Sequence, residues 1–399
     1  MSRPTISLDR PQGELSFRAR EHCVGYLNRL LGSSANEHSE LYKELATILL
    51  RVSEYETPGA YQNQNLKKSE TSEPPVEELM ASRGTRCVWP DGKRFALCLT
   101  HDVDQVRVTA HVERIRALRS VRGASFKDRA ALCASVGRHV LRTMVSGVRH
   151  YPLDLWLRAE DEFGFRSTFY FMGGPPARPD VRDIFYRLDD QILCEGQLRP
   201  LRDFLPTLVA GGWEVGMHGS IASAFDVEIA RTERLRLSEA AKTEVTSGRQ
   251  HYLHFDIRST PLVHEAAGLL TDSTMGSNVV PACHRIGTGL PFPMFHLLDD
   301  RPLNLVQVPL IIHDNALLVA AQGDVARAVE MATRQMIAAA ARGGMVTLLF
   351  HPNYLESATA FQVYRGILAA AHDLDAWGCT AGDAVRWFCK QHAVQEVAA

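Results

Sequence analysis

The chain has 399 residues, 45% of them hydrophobic, which is ample for a large buried core. Its formal net charge of -2 gives neither nucleic acid nor an anionic membrane an electrostatic hold. No run approaches the roughly 20 apolar residues of a membrane span, so no membrane partner is expected.

Met1 to Arg20 is polar and charged, without the apolar centre of a signal peptide. The eight cysteines are scattered and none has C-x-x-C spacing, which argues against a disulfide framework and a zinc ribbon. A reduced, cytoplasmic protein is the expectation. Between Leu15 and about Val52 the apolar residues Tyr26, Leu27, Leu30, Leu31, Leu41, Leu45, Leu49 and Leu50 recur at helical spacing. The spacing predicts two helices, joined across Gly32 to Asn36. Residues 1–53 are thus read as a helical region, one that could bring copies of the chain together as a homo-oligomer. Residues 54–85, rich in Gln, Asn, Lys, Ser, Glu and Pro, read as a linker or irregular segment. Residues 86–395 read as the main domain.

That domain alternates strand-like and helix-like runs. Phe95–Thr100, Ser167–Met172, Trp213–Met217, Leu305–Ile312 and Met345–Phe350 are short and apolar, as strands buried on both faces are. Amphipathic helices are predicted at Leu153–Phe163, Val227–Thr246, Val325–Ala341, Phe361–Trp377 and Ala381–Val394; the third is rich in the helix-former Ala. Such alternation implies a parallel α/β sheet. Polar residues end many of the strands, which favours a (β/α) barrel with its active site at that rim over an open sheet.

The polar strand ends carry the candidate chemistry. In Thr100-His101-Asp102-Val103-Asp104, extended backbone points Asp102 and Asp104 to one side. Two carboxylates that close resist joint ionisation unless a cation compensates. A metal on Asp104 with Asp102 as base resolves this; a pair of loop aspartates capping the next helix is the plain alternative. His218 follows a strand between Gly216 and Gly219. His251 and His254 lie close together, though not at the i, i+4 spacing of a helical zinc pair. His351 ends another strand, where an imidazole can serve as ligand, acid or base. Arg285 is a cation among glycines, suited to a carboxylate. Each has a bland reading as a hydrogen-bonded loop residue; their shared position at strand ends favours an active site.

These segments resemble the polysaccharide deacetylase superfamily, also called the NodB-homology or carbohydrate esterase family four, in a bacterial branch whose first motif is aspartate–any–aspartate. The resemblance covers about Arg86 to Gln391. It implies a distorted (β/α) barrel of about seven strands, here with an N-terminal helical extension. It implies Asp102 as catalytic base, Asp104 and His218 as metal ligands, Arg285 as the arginine bracing the base, and His351 as general acid. The Gly164–Phe171 run is similar to a packing strand of that family. One departure stands out: the second motif usually carries two histidines four residues apart, and here that second position is Ala222. His251 is the candidate replacement ligand, His254 the second choice. Asp314 is expected to orient a histidine.

The resulting expectation is a metal-dependent amide hydrolase that removes an acyl group, foremost acetyl, from an amino sugar or related small molecule. The divalent ion would be Zn²⁺, with Co²⁺, Mn²⁺ or Ni²⁺ as alternatives, held by three protein ligands. Trp213, Tyr252, Phe292, Phe295 and Tyr354 are candidates to stack on a sugar face, or else to pack the core. Three rivals stand beside this reading. They are cleavage of another linear or cyclic amide, a silent member that binds a carbohydrate or partner, and an assembly component built on the N-terminal helices.

Overall fold

A computed structural model of the chain describes residues 15–32, 40–56, 73–106, 152–180, 182–183, 186–352 and 358–392. In chain order its strands are β1 (Phe95–Val103), β2 (Thr168–Phe171), β3 (Gln191–Cys194), β4 (Gln197–Pro200), β5 (Glu214–Gly219), β6 (Ser247–Gln250), β7 (Thr271–Asp272), β8 (Phe292–His296), β9 (Arg301–Gln307), β10 (Ile312–His313), β11 (Met345–Phe350) and β12 (Ala376–Cys379). All nine residues of β1 and all six of β11 are buried, as continuous apolar runs covered on both faces must be.

The main strands run parallel in the order β10, β11, β1, β2, β5, β6, β7, β9. The ring then closes through the chain itself. Beyond β9 the backbone continues through residues 308–311 into β10. On the way Leu310 N donates to Met275 O at 3.1 Å, and Ile311 N donates to Thr347 O at 3.1 Å. One extended segment thus pairs with β7 by its first half and with β11 by its second. Counting β9 and β10 as one staggered strand gives a seven-stranded distorted barrel, the expected architecture. The single strand expected over Leu305–Ile312 is interrupted around Pro309, which has no N–H to give to a ladder. That is where the segment changes partners. Antiparallel β8 is added beside β9, and β12 beside the start of β1; β3 and β4 form a separate hairpin.

Crossover helices connect the parallel strands. Val227–Ala241 starts at Asp226, whose side chain accepts from Glu228 N and Ile229 N. Val325–Arg342 starts at Asp324 and ends at Gly343 with φ 69°, and its buried stripe is Ala328, Ala332, Met336 and Ala340. No helix among the described residues is long and apolar enough to cross a membrane.

The N-terminal helices Phe17–Leu31 and Glu40–Leu49 lie on this barrel. Tyr26 meets Phe292 edge-on with centroids 5.0 Å apart, and His22 Nε2 is 2.7 Å from Pro293 O. Tyr26, Leu27, Leu30, Leu31, Leu45, Leu49 and Leu50 belong to the same hydrophobic cluster as the barrel, while Leu41 is exposed. Most of the stripe that suggested contact between copies is covered within one chain. The segment expected to be irregular contains a helix, Pro75–Ser82, whose proline occupies the first turn where a missing N–H costs nothing. Glu77 of that helix accepts from Gly289 N at 2.7 Å.

Candidate active site

The C-terminal ends of the parallel strands converge on one cavity of about 290 Å³. Asp102 lies near the end of β1 and Asp104 one residue past it, on the same side, with Val103 buried the other way. His218 is on β5, His251 directly follows β6, Asp314 follows β10 and His351 follows β11. All six are buried.

Asp104 is the centre of the group. Its Oδ1 is 3.2 Å from His218 Nε2 and 3.8 Å from His251 Nε2. One ligand atom from each of the three residues lies within 4.8 Å of the others. The tautomer of His218 sharpens the point. Its Nδ1 is 3.0 Å from Arg249 O. A carbonyl only accepts, so Nδ1 carries the hydrogen and Nε2 of the neutral ring presents a lone pair. That lone pair faces a carboxylate oxygen, and neither atom, though buried, has a hydrogen-bond partner. A proton on Nε2 would relieve one such contact, and the surrounding charge favours it. Burial pulls the His218 pKa down, but Asp102 and Asp104 more than offset this and leave it raised. A single proton does not serve the second imidazole converging on the same oxygen. A divalent cation serves all three, and two imidazoles with one carboxylate are an ordinary zinc set with room for a fourth ligand. The residues fit a metal.

Asp102 is held differently. Arg249, fully buried on β6, donates from Nη1 to Asp102 Oδ1 at 2.9 Å and to Thr100 Oγ1 at 2.8 Å. Its Nε and Nη2 donate to Ser273 O and Ser273 Oγ at 2.8 and 2.7 Å. Its guanidinium carbon sits 4.6 Å from the centre of the Tyr170 ring. Glycine at 216 makes room for that ring, since a Cβ there would come within 2.4 Å of it. Burial raises the Asp102 pKa, but Arg249, then His218 and His351, outweigh it and leave the carboxyl below its usual range. Burial also raises Asp104, and the histidines His218, His351 and His251 outweigh it and leave that carboxyl well below its usual range.

The expected brace, Arg285, is elsewhere. Its Nε and Nη2 donate to Glu54 Oε1 and Oε2 at 2.9 and 2.8 Å, a buried pair that ties the N-terminal region to the loop after β7. Glu54 takes the Nε and Nη2 edge of the guanidinium. Alternation along β6 is the signal that points to Arg249: it lies two residues before His251, as Asp102 lies two before Asp104.

Asp314 pairs with His351. The His351 N–H donates to Asp314 Oδ2 at 2.7 Å, and His351 Nδ1 is 2.9 Å from the same oxygen. Burial lowers the His351 pKa, but Asp314 overcomes it, and the group is pushed up to about 10. Its Nε2 is 3.8 Å from Asp104 Oδ2, across the cavity. Asp314 also has His313 Nδ1 at 3.1 Å from its Oδ1. His254, the second-choice ligand, stands apart. It packs edge-on against Phe225 at 5.2 Å, and burial, then Arg182, lowers its pKa to about 4. Ala222 lies in a short turn, Ala222–Ala224. Nearby, Asp183 accepts from Ile221 N at 2.9 Å and places Oδ1 3.8 Å from His251 Nδ1. Nothing in the sequence around Asp183 marks it. Of the aromatic candidates, Trp213, Phe292 and Phe295 are buried, Tyr252 lines the cavity, and Tyr354 lies outside the described residues.

Neither a family model nor a curated protein matches this chain. Solved structures do. A Mycobacterium smegmatis protein described as a polysaccharide deacetylase is 19% identical, over 77% of this chain and 94% of its own, with a TM-score of 0.49. Puue allantoinase is 13% identical over 78% and 94%, with a TM-score of 0.46. A Pseudomonas aeruginosa PAO1 protein, also described as a polysaccharide deacetylase, is 13% identical over 77% and 95%, with a TM-score of 0.46.

Proposed function

We propose that this chain is a divergent polysaccharide deacetylase-like hydrolase that cleaves the amide C–N bond of an N-acylated amino sugar or related small molecule. The observation that carries the reading is the convergence of Asp104, His218 and His251 beside an arginine-held Asp102 and an aspartate-held His351. Asp104, His218 and His251 would hold a divalent ion, Zn²⁺ by ligand type. Such an ion, when bound, polarises the acyl carbonyl and acidifies a water.

The rest is done by the chain. Asp102 and His351 have their pKa values pushed apart, as a base and an acid working together require. Arg249 occupies Oδ1 of Asp102 and keeps the carboxyl ionised. Its Oδ2, on the His218 side at 3.8 Å, takes the proton of the attacking water. Asp314 holds Nδ1 of His351, so the protonated Nε2 faces the cavity and donates to the amine nitrogen as the C–N bond breaks. The cavity is at the small end for a ligand site, which suits a single sugar unit or small amide.

Acetate release from N-acetylated amino sugars tests this. Asp102→Asn should lower turnover at least about a hundredfold with metal still bound, and His218→Ala should lose both. Full activity in Asp102→Asn would remove Asp102 as the base.

A further inference from the structure

The two imidazoles that face Asp104 are held in different ways. His218 Nδ1 lies 3.0 Å from Arg249 O, so a backbone carbonyl fixes that ring. His251 Nδ1, though buried, has no hydrogen-bond partner among the described residues. What faces it is a carboxylate. His251 Nε2 is 3.8 Å from Asp104 Oδ1 and Nδ1 is 3.8 Å from Asp183 Oδ1, which sets the ring between two acidic side chains.

Asp183 is itself buried and firmly placed. Its Oδ2 accepts from Asp180 N at 2.9 Å, and its own N–H donates back to Asp180 O at 3.0 Å. Arg182 clasps Asp180 with Nε and Nη2 at 2.7 and 2.9 Å. Farther along the same loop, the Tyr186 hydroxyl donates to Val103 O at 2.8 Å and accepts from Met172 N at 3.0 Å. The loop between β2 and β3 is thus pinned beside Asp104 as well as beside His251. Asp183 Oδ1 also accepts from Ile221 N at 2.9 Å. Ile221 directly precedes Ala222, where the resemblance called for a second histidine. The turn that lacks a ligand therefore anchors the carboxylate that faces the substitute. An imidazole that binds metal through one nitrogen is oriented by the acceptor that its other nitrogen meets.

We propose that Asp183 is a positioning residue of this site. It takes the Nδ1 hydrogen of His251, so that Nε2 keeps its lone pair toward Asp104, and in this way makes up for the ligand missing at Ala222. This rests on the three-ligand reading of the site.

The test measures Zn²⁺ affinity of the full chain by competition with a chromogenic chelator, and Co²⁺ binding by visible absorption. The proteins are wild type, Asp183→Ala, Asp183→Asn, His251→Ala and the Asp183→Ala/His251→Ala double variant. Removing such a holder weakens metal binding about 10- to 100-fold. Asp183→Ala should show that loss, and its Co²⁺ bands should lose intensity as those of His251→Ala do. Asp183→Asn keeps the size and one acceptor oxygen, which separates loss of the contact from loss of the loop, and should fall in between. In the His251→Ala background Asp183→Ala should change affinity less than about twofold, because the ring it acts through is gone. A loss of equal size in both backgrounds, or no loss in either, would overturn the proposal and leave the metal site standing. Metal binding that depends on Asp183, without acetate release, would sink the hydrolytic reading alone. A wild type that binds neither ion would overturn both.

Discussion

Replacing Arg285 with methionine removes one side of a bidentate ion pair in which Arg285 is 1% exposed and Glu54 4%. Breaking a buried pair by deleting one partner costs about 3–5 kcal/mol, because the other charge is left uncompensated. Arg51 Nε still contacts Glu54 Oε1 at 2.9 Å, so Arg285→Met should sit near the lower end, about 3 kcal/mol. Glu54→Leu leaves Arg285 with a 3.4 Å contact to Gly276 O and should sit near about 5 kcal/mol. The double variant removes the pair as a unit and should cost less than the sum of the singles by at least about 1 kcal/mol. Urea unfolding of the four proteins at one pH gives these values from midpoint shifts at constant slope. Arg249→Lys should behave differently. It keeps a charge but loses the fork that holds Asp102, so the acid limb of kcat/KM should move toward neutral pH. Additive singles, or an acid limb that moves with Arg285→Met but not with Arg249→Lys, would refute this division of labour between the two arginines.

Other expectations follow from the same contacts. Glu77 is buried with Oε2 lacking a hydrogen-bond partner, and burial raises its pKa to about 7 from the ordinary 4.5. Below pH 4.5 both folded and unfolded chains carry the proton, so there is no penalty. As pH rises to about 7 the unfolded chain ionises first and stability falls, the cost reaching about 3 kcal/mol above that window. Glu77→Gln should therefore stabilise the protein at pH 8 and not at pH 4.5; equal shifts in urea midpoints at both would contradict the assignment. Asp314→Asn removes the charge that raises His351, so the alkaline limb of the activity profile should move to lower pH. An unmoved limb would mean that Asp314 does not set the acid. Zn²⁺ at a thousandfold excess over its dissociation constant should add about 4 kcal/mol of stability to wild type. A wild type without a thermal shift, or a His251→Ala variant with an undiminished one, would count against the three-ligand set.

The parts of this fold legible in the sequence were those with local signatures. Phe95–Thr100 and Met345–Phe350 announce buried strands by unbroken apolar runs, and period-two alternation then places Asp102 beside Asp104. His218, Asp314 and His351 were visible because each closes or follows such a run. What escaped depends on contacts far apart in the chain. Arg285 among its glycines looks suited to any carboxylate, and only the fold reveals that Glu54, 231 residues away, takes it. Asp183 reaches His251 from a loop with no periodic pattern. Closure of the barrel turns on Pro309 splitting one run between two partners, which composition does not disclose. The N-terminal helices showed their apolar stripes plainly, but a stripe does not say whether a barrel or a second copy covers it.

The metal site of Asp104, His218 and His251 is tested by metal content, through elemental analysis of protein purified without chelator, for wild type, His218→Ala and His251→Ala. Close to one divalent ion per wild-type chain is expected, with a large loss in both variants. Wild-type protein that holds no metal even after supplementation, or a His251→Ala variant that holds as much as wild type, would contradict it.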